Sequence, residues 1–246
     1  MNDAEPHTAA EWHAQRRRAE VEATRRQARR KYGQSSLLAD IGDEEAEPAA
    51  REMLAAASSA FWLAEDTELE SQTHKEMDDY GRWVRTTFGC RLAYESGTYY
   101  QRCPAAIAHK RVGMSMGFTA RRRICSICAE DLADCPHDRH ELYEVAGGIG
   151  PTGRCRACGS DECTEHIPER TYRVPAIGIV TEIDQVREVS IVARPAQPLA
   201  RLTSVPVDGD LLRDALGSSF ETGMTVSCDR CLNACKGIAE IPSLTR

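Results

Sequence analysis

No run of the 246-residue chain is long and apolar enough for a membrane span. The opening segment, MNDAEPHTAAEWH, has no apolar core of the kind a secretory signal carries, so a cytoplasmic protein is expected. Aromatic residues are scarce at 6%, which leaves few platforms for stacking bases. The net charge of −7 lacks the positive excess of a whole-chain nucleic-acid binder, although local patches are open to that use. Without an export signal, eleven cysteines are not expected as disulfides, because the cytosol keeps thiols reduced. What remains to be explained is the cysteine itself.

Hydrophobic residues make up 41% of the chain, enough for a real core, but they are unevenly spread. From Glu11 to Gly33 there are eight Lys and Arg against three Glu, a net of +5. From Gln34 to Tyr80 thirteen Asp and Glu face two Lys and Arg, a net of −11. The first stretch reads as a polar helix ended by Gly33. Its charge suits either an anionic partner or, more simply, the acidic segment of its own chain or of a neighbour. PAAREMLAAASSAFWLAED is rich in alanine, the best helix former. After it, Leu69, Thr73, Met77, Tyr80, Val84 and Phe88 recur at spacings of three and four, the core face of a helix.

Beyond Gly89 the texture turns to strands. CRLAYESGTYYQRC breaks at Glu95-Ser96-Gly97 and reads as a β-hairpin. PAAIAHKR reads as a short helix and VGMSMGFTARRRI as a strand, with further Val- and Ile-rich strands in YRVPAIGIVTEIDQVREVSIVARPAQP and ARLTSVPV. The fold class is therefore α+β: charged N-terminal helices, then the strands of a small mixed or antiparallel sheet. Three regions are expected: 1–88 helical, 89–206 a β domain with an insertion at 124–174, and 207–246 a short helix with a last cysteine cluster.

That insertion holds the same frame twice. Cys125, Cys128, Cys135 and His137 run C-x2-C-x6-C-x-H, and Cys155, Cys158, Cys163 and His166 run C-x2-C-x4-C-x2-H. In each, a Tyr follows the His by six residues and a Val by eight: Tyr143 and Val145, Tyr172 and Val174. Two such frames are an internal duplication. A C-x2-C turn brings two thiolates to one ion, and a Cys and a His complete a tetrahedron, so each copy predicts a zinc site. Four protein ligands leave no open position, which makes both sites structural. His140 is a spare ligand for the first site, with His137 preferred. Reduced cysteines without metal would be the plainer reading, but eight ligand-type residues in matching frames argue against it. A third cluster, CDRCLNAC, offers Cys228, Cys231 and Cys235; Cys90 or Cys103, flanking the hairpin, is the candidate for a fourth thiolate, with zinc preferred over an iron–sulfur cluster.

Several motifs around the repeats look familiar. GMSMGF at 113–118, REVSIVARPAQPLARL at 187–202 and the hairpin ESGTYYQRC resemble, in order, segments of the tailed-phage prohead (capsid maturation) serine protease family. The resemblance covers roughly 89–202 and implies that family's β-barrel, with the zinc repeats inserted after the strand of the nucleophilic serine. It also implies Ser115 as nucleophile, His74 (ahead of Gly81-Arg82) as base and Glu188 as its orienter. The residues themselves allow another reading, since His74 lies within a helical stripe and Ser115 suits a small residue packed in a strand.

These features lead to three expectations. The first is a zinc-binding assembly or partner-binding protein on a degenerate protease-like barrel, in a phage-related or defence complex, meeting a protein partner or its own copy through the N-terminal helices. The second is an active serine endopeptidase using Ser115. The third is a nucleic-acid adaptor using the Arg runs at 16–18, 25–31 and 121–123, disfavoured by the net charge of −7 and the few aromatics for base stacking.

Overall fold

A computed structural model of the protein describes residues 8–160 and 163–228. They are mixed α and β, with long helices first and small sheets after, as the sequence pattern predicts. The chain forms two compact units: Met1–Ala19 with Met116–Ser190, and Glu20–Ser115 with Ile191–Arg246. Among the described residues no helix is long and apolar enough to cross a membrane.

Helix α1 (Ala9–Asp40) opens on a capping box. Glu11 N–H donates to the Thr8 hydroxyl and Thr8 N–H to the Glu11 carboxylate, at 3.2 and 3.0 Å. The helix does not end at Gly33, against the expectation from sequence. It runs seven residues further, because an exposed glycine costs only about 1 kcal/mol against alanine and good helix formers flank it. The stop comes at Gly42 (φ 72°), where the N–H groups of Gly42 and Asp43 bond back to Ala39 and Leu38 as a Schellman motif.

Helix α2 (Ala46–Ala64) takes up the alanine-rich stretch and α3 (Glu70–Phe88) the stripe that follows it. The break falls where Asp66 takes φ 62° and the Thr67 hydroxyl caps the Ala64 carbonyl at 2.6 Å. In α3, Thr73, Met77 and Val84 are buried, with Tyr80 and Phe88 packed beside them, so the spacing of three and four is a core stripe. Met53, Leu54 and Phe61 of α2 are at most 1% exposed. Burying each contributes on the order of 1.5–3 kcal/mol. The basic run of α1 meets the acidic segment of its own chain: Arg25 and Arg29 pair with Glu76, and Lys31 with Glu52.

The strands are β1 (Ala93–Glu95), β2 (Thr98–Gln101), β3 (Gly113–Cys125), β4 (Leu142–Ala146), β5 (Thr171–Pro175), β6 (Gly178–Val192) and β7 (Val205–Val207). The short helix α4 (Pro104–Ala108) precedes β3, and α5 (Gly209–Leu216) follows β7. The hairpin β1–β2 turns through Ser96 (φ 49°) and Gly97 (φ 83°), both left-handed, which is the turn its strand twist favours. The ladders group into three small sheets, β1-β2-β7, β3-β6 and β4-β5. These ladders do not trace a closed barrel.

Candidate metal centres

The two Cys/His frames lie within one unit, and their strands pair with each other. In the antiparallel β4–β5 ladder Tyr143 faces Val174 and Val145 faces Tyr172. The Tyr that marks each copy in sequence thus faces the Val that marks the other, a reciprocal pairing of the two repeats. Between the repeats sits a small cluster of Trp12, Val145, Cys155, Ala157 and Val174, with both tyrosines packed against it.

Each C-x2-C turn has the same backbone. Cys125 N–H donates to Glu130 O and Ala129 N–H to Cys125 O; Cys155 N–H donates to Ser160 O and Gly159 N–H to Cys155 O. The residue after the second cysteine is left-handed in both, Ala129 at φ 64° and Gly159 at φ 72°. Such a knuckle turns two sulfurs to the same side.

The donor atoms of Cys125, Cys128, Cys135 and His137 all lie within 4.8 Å of one another, as do those of Cys155, Cys158, Cys163 and His166. In the first set, Cys128 and Cys135 Sγ are 3.6 Å apart, and His137 Nδ1 is 3.3 Å from Cys135 Sγ and 3.8 Å from Cys125 Sγ. In the second, Cys163 Sγ to His166 Nδ1 is 3.1 Å. A zinc tetrahedron with bonds of about 2.3 Å to sulfur and 2.0–2.1 Å to nitrogen has edges of roughly 3.5–3.8 Å. The donors fit, and each set can hold one zinc ion through three sulfurs and a histidine Nδ1. His137 completes the first set; His140 does not belong to it. Both ligand histidines stand edge-on to the tyrosine of their own repeat, His137 on Tyr143 and His166 on Tyr172, at 4.7 and 4.6 Å between ring centres.

The thiols in each set compete for negative charge. Burial works to raise the Cys163 thiol, but hydrogen bonds with the His166 ring and nearby backbone N–H groups hold it down to about 6. Cys158 goes the other way, to about 12, from burial and then from its hydrogen bonds to Cys163 and Cys155, the backbone of Ser160 opposing. In the first set desolvation pushes Cys135 up to about 11, the backbone of His137 opposing and the other two sulfurs adding to it. Cys125 is held below the ordinary thiol value by backbone N–H groups of Cys128 and Ile127, against its burial. A divalent cation removes that competition by letting all three sulfurs be thiolates.

Of the third cluster, Cys231 and Cys235 lie outside the described residues. Cys228 is described, and its backbone N–H donates to Cys90 O at 2.9 Å. The residues expected to form a peptidase site are spread over three elements. Ser115 is half-buried on β3, His74 is on α3, and Glu188 is exposed on β6, its side chain against Gly117. His74 Nε2 is 3.2 Å from His109 Nε2. His109 Nδ1–H donates to Ala105 O at 2.7 Å, so its Nε2 is the acceptor and His74 the donor. Burial, then the facing His109, lowers the His74 pKa.

Several side chains central to the structure carry no signal in the sequence. Arg201 is 4% exposed, ion-paired to the equally buried Glu65 at 2.5 Å and stacked over Trp62 at 4.3 Å. Its Nη1 and Nε donate to the Ala193 and Pro198 carbonyls. No family model matches the chain, and no curated protein or solved structure matches it.

Proposed function

We propose that the protein is a zinc-stapled structural component that binds a protein partner or a second copy of itself. The observation that carries this reading is the pair of closed Cys3His sets, each with four protein donors. Zinc held there supplies cross-linking, with no coordination position left for substrate. Cys125 and Cys128 tie the end of β3 to the loop of Cys135 and His137; Cys155 and Cys158 tie the next turn to Cys163 and His166. The reading includes the β-barrel implied by the resemblance to capsid-maturation proteases, with its chemistry lost, and a setting in a phage-related or defence complex.

Docking is assigned to the exposed side of α1. Arg25, Arg29 and Lys31 are engaged by Glu76 and Glu52, whereas Arg26 and Arg30, also one helical turn apart, are exposed. The paired cations also weaken the nucleic-acid reading of this helix. Reversing both exposed charges (Arg26→Glu with Arg30→Glu) is expected to reduce the native complex mass measured by light scattering while zinc content stays the same. An unchanged mass removes α1 as the docking face. A serine peptidase is the alternative, and a fluorophosphonate probe tests it directly: labelling of the wild type that is lost in Ser115→Ala would replace the structural reading.

A further inference from the structure

We propose that a second copy of this chain docks on the β3–β6 ribbon, the open edge of β3 in one copy pairing with the open edge of β6 in the other. The contact goes beyond the docking assigned to α1, since no residue of that helix takes part.

β3 and β6 make a two-stranded sheet of 13 and 15 residues. They run antiparallel: the Glu188 side chain lies against Gly117, Arg187 Nε donates to the Thr119 hydroxyl at 2.9 Å, and Arg121 pairs with Glu182 at 3.9 Å. Among the described residues, backbone pairing of β3 with anything but β6 is confined to its ends, where Gly113 bridges Arg201 and Ile124 bridges Asp131. The middle of β3 and the outer edge of β6 therefore present N–H and C=O groups to a further strand. Every residue from Val180 to Val189 is exposed, and since side chains alternate along a strand, both faces of β6 are bare there. Val180, Ile183, Val186 and Val189 are between 37% and 61% exposed, and Met116 and Phe118 are exposed on one face of β3. A lone two-stranded ribbon is marginal in water; a third strand or a packed face is what holds one of this length.

Charge selects the occupant. β3 carries Arg121, Arg122 and Arg123 and no acidic residue, whereas β6 carries Glu182, Asp184 and Glu188 against Arg187 alone. The Arg121–Glu182 pair shows these charges matching inside one copy. A second copy laid alongside in the same antiparallel sense repeats that match, basic edge to acidic edge, and continues the sheet. Pairing β6 with β6 would instead bring two acidic strands together. A contact between unlike edges is heterologous, so each copy added leaves an edge for the next.

Light scattering on the full chain tests this. The wild type and its Arg26→Glu/Arg30→Glu variant are both expected to exceed the monomer mass and to grow with concentration. If that variant is monomeric at every concentration, the ribbon contact is overturned and the α1 reading stands. Adding Ile183→Lys with Val186→Lys to it should return the monomer, with the far-ultraviolet signal unchanged because both positions are exposed. An unchanged mass overturns the proposal. In the same background, Arg122→Glu with Arg123→Glu gives a chain with two acidic edges, and Glu182→Lys with Asp184→Lys one with two basic edges. Each alone is expected to be monomeric, and an equal mixture to assemble again. Self-association kept by either alone, or a mixture that stays monomeric, overturns the pairing of β3 with β6. A second polypeptide in the assembled particle, read by intact mass, overturns a copy of this chain as the occupant.

Discussion

The two compact units are filled by different means. Among the largest fully buried side chains, Phe61, Met53, Leu54, Met77, Val21 and Val84 all belong to the unit of Glu20–Ser115. The other unit contributes Pro175, Cys125 and Cys155, two of which are zinc ligands. Where one unit closes on apolar volume, the other closes on sulfur. A segment of that size with one tryptophan and a few valines at its centre cannot offset its chain entropy by burial alone. Metal binding, at about 10 kcal/mol or more per structural zinc, replaces the core it lacks.

The largest test of this contrast is to remove the metal. Chelation at neutral pH is expected to abolish the β4–β5 ladder and open residues 126–170 to proteolysis. The far-ultraviolet signal of α2 and α3, whose packing uses no ligand sulfur from those sets, should persist. Simultaneous loss of both would mean that the helical unit also depends on zinc.

The mirror experiment removes a group from the helical unit. Glu65→Ala leaves Arg201 charged, 4% exposed and without its carboxylate. Breaking a buried pair from one side costs about 3–5 kcal/mol. The denaturation midpoint should fall accordingly while the zinc count of the Cys3His sets stays unchanged. Arg201→Met together with Glu65→Leu is expected to recover much of the loss, because the penalty lies in the stranded charge.

Legibility in the sequence followed the range of the interactions. The zinc ligands, the hairpin turn at Ser96-Gly97 and the apolar stripe of α3 are set by neighbours within a dozen positions, and their spacing exposes them. Gly33 misleads because a local helix breaker is outvoted by its surroundings. Trp12 between the repeats, Arg201 on Glu65 and Gln101 on Cys228 join positions more than a hundred apart, and no periodicity records such a meeting. The ladders give three small sheets whose grouping the sequence did not show, because runs of Val and Ile specify strands without specifying which strand is the neighbour.

The smallest expected effect compares the repeats with each other. After the second cysteine of its knuckle, one repeat has Gly159 and the other Ala129, both left-handed. An alanine there costs roughly 1–2 kcal/mol in sterics, and glycine returns about 0.5–1 kcal/mol of that as extra freedom in the unfolded chain. Ala129→Gly should therefore stabilise the zinc-loaded protein by about 0.5 kcal/mol. Gly159→Ala should destabilise it by somewhat more, because the added Cβ would also meet the Arg16 guanidinium at 3.2 Å. That contact is with the end of a flexible side chain and can relax, so the backbone term decides the sign. Denaturant titrations of the two variants at saturating zinc measure the difference. Opposite signs would mean that the two knuckles share one backbone requirement. Equal and null effects would mean that the four donors set the turn and the residue after the second cysteine does not.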